Sequence, residues 1–213
     1  MSLIVHHLNN SRSQRILWLL EEIGRPYEIR HHQRDAETNL APPSLTSLHP
    51  LGKAPMIEDN GRMIIESGAN VEYICAHHGG DQFVPPRDTD DYIQHLEWLH
   101  FAEGSAMTPI LLNLYVGRLE DAGAPLMPRI NEQLASHFSF MESQLHPSGH
   151  FVGDSLSAAD FMLSFPAEVA MAQGGAEAYP KLAKFVEWLQ ARPAYQRGLE
   201  KGGDYNFAPS QNG

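Results

Sequence analysis

The chain has 213 residues, 42% hydrophobic and 19% charged, enough apolar material for one large core or two small ones. Fifteen basic against 26 acidic residues give a net charge of -11, a field that repels phosphate backbones and anionic lipid and argues against nucleic acid and membrane as partners. A single cysteine permits no intrachain disulfide, no run reaches the ~18 apolar residues of a membrane span, and collagen-like or low-complexity compositions are excluded.

Met1–Leu8 lacks the basic start and apolar middle of an export signal, so a reducing cytoplasmic location is expected. Leu3–Leu8 reads as a strand. Ser11–Gly24 reads as a helix whose apolar face is Ile16, Leu17, Leu19, Leu20 and Ile23, stopped by Gly24 and Pro26. Tyr27–Arg30 is a second strand, and the helical crossover makes the pair parallel. Gln33–Leu51 is polar and proline-bearing, a loop with at most a turn or two of helix. Asn60-Gly61 between apolar stretches predicts a hairpin of Met56–Glu58 and Arg62–Ile65. Glu66-Ser67 opens a helix running to His78 and ended by Gly79-Gly80. Gln82–Arg87, with two prolines, reads as a linker. The rest is helical: Asp88–Leu114, Met127–Leu145, Ser157–Gln173, Pro180–Ala191 and Pro193–Lys201, then a loose tail from Gly202. The fold class is α/β plus all-α, with a βαβ-ββα domain over residues 1–80, a linker over 81–88 and an all-helical domain over 89–213.

Several short stretches have two readings. Ser11-x-x-Gln14 is a capping box, although Ser13 can cap instead and leave Ser11 free. A hydroxyl at a helix N-terminus can also stabilise an anion, since the free N–H groups carry partial positive charge. Ala54-Pro55 places a proline at a strand start or edge. Lys53 is either a solvated charge or an anchor for a carboxylate. Glu66-Ser67 is either a cap with a surface acid or a pair suited to a ligand bearing both carboxylate and ammonium. Ser157-x-x-Asp160, flanked by Leu156 and Phe161, is a capping box with a hydrophobic staple. Cys75 lies on an apolar helix and reads as a buried, inert thiol. His6-His7, His31-His32 and His77-His78 are adjacent pairs; neighbours on a strand face opposite ways, and none shows His-x-x-x-His helix spacing, so no metal is expected.

In their order and spacing, the stretches Asn9–Arg15, Pro50–Pro55, Glu66-Ser67 and Gly153–Asp160 resemble the cytosolic glutathione transferase family, over nearly the whole chain. The resemblance implies a thioredoxin-like first domain that binds glutathione and a helical second domain. It implies the bacterial, serine-type kind of site, in which Ser11 stabilises the glutathione thiolate and Arg15 follows four positions on. Asn10 and Ser13 remain rival donors. A cis bond at Ala54-Pro55 would let residue 54 pair through its main chain with the cysteinyl part. Lys53 would hold the glycine carboxylate, and Glu66 with Ser67 the γ-glutamyl head. Phe101, Met107, Leu111 and Tyr115 would line a pocket for a small hydrophobic electrophile, and Glu103 would reach glutathione in the partner of a homodimer. The implied activity is conjugation of glutathione to that electrophile in detoxification. The alternatives are isomerase, dehalogenase or peroxidase chemistry on the same scaffold, or a non-catalytic scaffold.

Overall fold

A computed structural model describes residues 3–209. They fall in two compact units, one drawn from Met1–Phe83 and Leu189–Gly213, the other spanning Val84–Trp188. Among the described residues no helix is long and apolar enough to cross a membrane.

The first unit is built on a four-stranded mixed sheet. β1 (Leu3–Leu8) and β2 (Tyr27–His32) pair in parallel, from Leu3 opposite Tyr27 to Leu8 opposite His32. β3 (Met56–Asp59) runs antiparallel to β1 with Met56 opposite His6, and β4 (Arg62–Ile64) closes the order β2-β1-β3-β4. The hairpin between β3 and β4 turns on Asn60 at φ 52° and Gly61 at φ 79°, the two left-handed residues of a type I′ turn. Between β1 and β2 lies α1 (Gln14–Ile23), which starts three residues later than expected because Asn9–Ser13 form turns. Leu17, Leu19 and Leu20 of α1 are fully buried. A one-turn helix, α2 (Pro43–Thr46), interrupts the long loop, and α3 (Ser67–His77) follows β4.

The last helix, α9 (Pro193–Gly202), belongs to this unit. It lies against α1 along Gly198 and Gly202. A Cβ on Gly202 would come within 2.9 Å of Leu17 Cδ1 and 3.0 Å of Gln14 Oε1, so any larger residue there would have to displace these side chains. Glu21, 7% exposed, accepts hydrogen bonds from Tyr27 Oη (2.8 Å), Arg197 Nε (2.8 Å) and Lys201 Nζ, while Arg192 pairs with Glu22. The segment beyond α9 is not loose over its described length. Tyr205 is buried, Ala208 N–H closes a turn on the Tyr205 carbonyl (3.0 Å), and Gln190 Nε2 donates to the Phe207 carbonyl (2.8 Å).

The second unit begins with α4 (Asp90–Phe101) and α5 (Met107–Val116), the expected single helix interrupted by a five-residue π turn at Ala102–Ala106. A 3₁₀ stretch, Gly117–Leu126, leads to α6 (Met127–Gln144), followed by α7 (Ala158–Ala172) and α8 (Pro180–Gln190). Its core includes Trp98, Phe151 and Phe185, with ring centroids 5.0 and 5.3 Å apart in edge-to-face pairs. The box at the start of α7 is present. Asp160, fully buried, accepts from Ser157 N–H (2.7 Å), Ser157 Oγ (2.9 Å) and Phe151 N–H (3.0 Å). It thereby ties the preceding loop to the helix.

Two outcomes follow. Asp160→Ala should lose about 2–3 kcal/mol in urea unfolding, since it strands buried donors, while any ligand affinity of the folded fraction stays unchanged; a loss below about 0.5 kcal/mol would contradict this. For Glu21, burial by itself would raise the carboxyl pKa, but the hydrogen bonds from Lys201, Arg197 and Tyr27 outweigh it and hold it below the ordinary 4.5. Its contribution is therefore complete above pH 4.5 and disappears as the pH falls through the depressed value. Glu21→Gln should cost about 1–2 kcal/mol at neutral pH, the cations being half-exposed, and should flatten the acid limb of the stability profile; an acid limb as steep as the parent's would count against the clamp.

Candidate active site at the end of the first strand

Three segments of the first unit meet where β1 ends. The register that sets Met56 opposite His6 brings the residues before β3 to the end of β1, and Leu8 shares a buried apolar cluster with Ala54, Met56 and Leu45. The Ala54-Pro55 bond is cis. Asn70 Nδ2, in the first turn of α3, donates to the Pro55 carbonyl (3.2 Å) and ties this loop to α3. Glu66 occupies the N-cap position of α3 at φ 71°, a left-handed conformation that costs a non-glycine residue on the order of 1 kcal/mol. Ser67 is the first helical residue instead of the cap expected for it. It is buried, with its N–H among those a helix start leaves unpaired within the helix.

The turn between β1 and α1 is a hydrogen-bonded knot. Ser11 Oγ, 6% exposed, lies 2.7 Å from both the Leu8 carbonyl and Ser13 Oγ, and accepts from Ser13 N–H (3.2 Å). Ser13 Oγ accepts from Leu8 N–H (3.3 Å) and sits 2.8 Å from His7 Nδ1. Ser13 holds the N-cap position but makes no side-chain cap bond, and Ser11 is spent on the strand end, so neither forms the expected capping box with Gln14. Burial, then the nearby His31, pushes the His7 pKa from 6.5 down to about 4, so the ring is neutral at physiological pH. His7 also bonds the Gly202 backbone, and Nε2 is the ring nitrogen on that side, 3.2 Å from where a Cβ on Gly202 would stand, so the tautomer protonated on Nε2 satisfies both ring nitrogens. Nδ1 is therefore the acceptor, and the Ser13 hydroxyl proton points at it.

Asn10, just before Ser11, has φ 49° and accepts the Asn206 N–H on Oδ1 at 2.7 Å. Arg34 grips the same turn from the loop after β2. Its N–H donates to Asn9 Oδ1 (2.8 Å), and its guanidinium to the Asn9 (3.1 Å), Asn10 (3.3 Å) and Asn39 (3.1 Å) carbonyls.

The model for the glutathione S-transferase N-terminal domain matches residues 1–76, and that for the C-terminal domain matches residues 112–201. The chain belongs to the glutathione S-transferase family. Glutathione S-transferase 1 of Saccharomyces cerevisiae is 30% identical, over 92% of this chain and 94% of that protein. Glutathione S-transferase 3 of Schizosaccharomyces pombe is 30% identical, over 93% and 87%. The crystal structure of a glutathione S-transferase from Actinobacillus pleuropneumoniae superposes with a TM-score of 0.87 at 30% identity, covering 96% of this chain and 95% of that one.

Within this transferase scaffold, Lys53 is exposed beside the buried Ala54 and Pro55. Arg15 is fully buried. In the helical unit Phe101 is half-buried against Trp98, Phe140 and His137, and Met107 is buried, whereas Leu111 is half-buried and Tyr115 exposed. Glu103 lies in the π turn, half-buried. Burial, reinforced by Glu72 and Asp81, pushes the Cys75 thiol up to about 12, so it is no nucleophile. The β1 pair divides, His6 meeting His32 (3.1 Å) and His7 meeting Ser13, whereas His77 and His78 at the end of α3 both lie against the Tyr73 ring. Among the described residues no cluster of His, Cys, Asp or Glu could hold a metal. Arg34, Asn70, His7 and Asn206 carry the turn geometry without lying in a recognisable motif.

His7 sets a pH dependence. As the pH falls below 6.5 the unfolded chain takes up a proton that folded His7 refuses until about 4, so stability should drop by roughly 3 kcal/mol across that window. Ring-proton NMR should give His7 a midpoint of about 4; a midpoint near 6.5 would contradict the buried, neutral assignment.

Proposed function

We propose that this family member is an active glutathione transferase that joins the glutathione thiolate to a small hydrophobic electrophile. The observation that carries the reading is the convergence, in one unit, of the β1–α1 turn, the cis Ala54-Pro55 loop and the Glu66-Ser67 start of α3, linked by the Leu8–Ala54 packing and the Asn70–Pro55 bond. Glutathione lies extended across them. The Ala54 main chain pairs with the cysteinyl residue as an added strand does. The Ser67 N–H and hydroxyl face the γ-glutamyl carboxylate, Glu66 accepts from its ammonium, and Lys53 holds the glycine carboxylate. The thiol then lies at the opening of α1, where Ser11, Asn10 and Ser13 stand, and where the helix end favours an anion.

The sulfur is the co-substrate's own, so the protein contributes orientation and thiolate stabilisation. A free thiol titrates near ~8.5, and lowering that by one to two units ionises most of it at neutral pH. Phe101, Leu111 and Tyr115, which keep accessible surface, serve an apolar electrophile better than the buried Met107. Assembly as a homodimer, with Glu103 turned to the partner's glutathione, and a cytoplasmic location belong to the same reading. A panel of electrophiles, haloalkanes, double-bond isomers and peroxides measures which reaction the thiolate performs.

Calorimetry tests the proposal. Reduced glutathione should bind with one equivalent per chain, and Lys53→Ala should weaken it roughly tenfold through loss of one charge-assisted hydrogen bond. The absence of heat at millimolar glutathione would overturn it.

A further inference from the structure

We propose that the Asn10 side-chain amide, oriented by the main-chain N–H of Asn206, donates the hydrogen bond that steadies the glutathione thiolate. The inference rests on the transferase reading above and assigns its donor.

It follows from counting protons in the turn. Ser13 has one hydroxyl proton, and the neutral His7 ring, with its own proton on the Gly202 side, draws it to Nδ1 at 2.8 Å. Ser11 has one hydroxyl proton, and its Oγ lies 2.7 Å from the Leu8 carbonyl and from Ser13 Oγ, inside the unit; with the Ser13 proton on His7, the Leu8 carbonyl, 3.2 Å from Ser13 Oγ, takes the Ser11 proton. To reach a ligand either serine must abandon a buried acceptor, which leaves that acceptor unsatisfied. Asn10 is placed differently. Its acceptor, Oδ1, is occupied by Asn206 N–H at 2.7 Å, and among the described residues Nδ2 donates to nothing. The side chain is half-buried. Because the carboxamide is planar, holding its oxygen fixes the direction in which the two N–H bonds leave. Asn10 has φ 49°, a conformation asparagine accepts better than most residues.

The anchor is well made. Asn206 is the second residue of the turn closed by Ala208 N–H on the Tyr205 carbonyl, which buried Tyr205 and the Gln190–Phe207 bond hold in place. Arg34 holds the other side of the turn through the Asn9 and Asn10 carbonyls. Asn10 is thus the catalytic residue, while Asn206 and Arg34 are positioning residues. The thiol proton leaves to water, the thiolate accepts from Nδ2, and the amide keeps both protons throughout.

Three variants separate the roles: Asn10→Gly, which tolerates the left-handed φ, Ser11→Ala, and Asn206→Pro, whose position in the turn suits proline while removing the N–H. Each is saturated with reduced glutathione, the thiolate absorbance is followed against pH, and affinity is measured by calorimetry. Asn10→Gly should raise the bound thiol pKa by about one unit or more, with affinity for total glutathione within about threefold. Asn206→Pro should raise it less, and the Asn10→Gly, Asn206→Pro double variant no more than Asn10→Gly alone. Ser11→Ala should lower the melting temperature and leave the bound thiol pKa within a few tenths of the parent's. An unchanged thiol pKa in Asn10→Gly, or a raised one in Ser11→Ala, would overturn the assignment. A parent protein that binds no glutathione would instead overturn the transferase reading, before any variant is compared.

Discussion

The end of β1 is the constraint on which the site depends. Leu8 is held through both of its main-chain groups, its carbonyl by Ser11 Oγ and its N–H by Ser13 Oγ, while its side chain packs with Ala54. A strand must therefore stop there, turn through Asn9–Ser13 and hand over to α1. The antiparallel register to β3 brings the cis-proline loop alongside, and Asn70 ties that loop to α3. A ligand-facing rim emerges as a consequence of satisfying buried polar groups. It is assembled by main-chain pairing more than by reactive side chains.

The C-terminal segment changes how the first unit is understood. Division by composition would end it near residue 80, yet α9 is clamped to α1 by Glu21 and Glu22, and the turn beyond it reaches Asn10. Gly202 lets α9 approach closely enough for its carbonyl to meet His7, so one glycine couples the helix clamp to the serine knot. The acid sensitivity expected of Glu21 and of His7 thus originates in one connected region.

Much of the fold was legible in the sequence. Short apolar runs and apolar helix faces placed the strands and most helices, Asn60-Gly61 specified the hairpin, and Ser157-x-x-Asp160 specified the cap of α7. These are local signals, each written within about a turn of chain. The errors have physical reasons. The start of α1 was set too early because Ser11 and Gln14 match a local box, whereas burial sends Ser11 to Leu8 and Gln14 toward α9. The π turn at Ala102–Ala106 leaves no compositional mark. The tail past Gly202 is rich in turn formers and reads as loose, although Tyr205 is buried. Within the candidate site, Ala54, Pro55 and Ser67 stood out because proline and helix-start chemistry are local. The Asn10–Asn206 and Arg34–Asn9 bonds join residues far apart in the chain, and no spacing rule encodes them.

Glutathione bound at the β1–α1 turn should be held as its thiolate. The direct measurement is the pH titration of thiolate absorbance in the binary complex of the unaltered protein, with no electrophile present. The account predicts a midpoint about one to two units below that of free glutathione, so that the sulfur is largely ionised at neutral pH. A midpoint equal to that of the free tripeptide would contradict it.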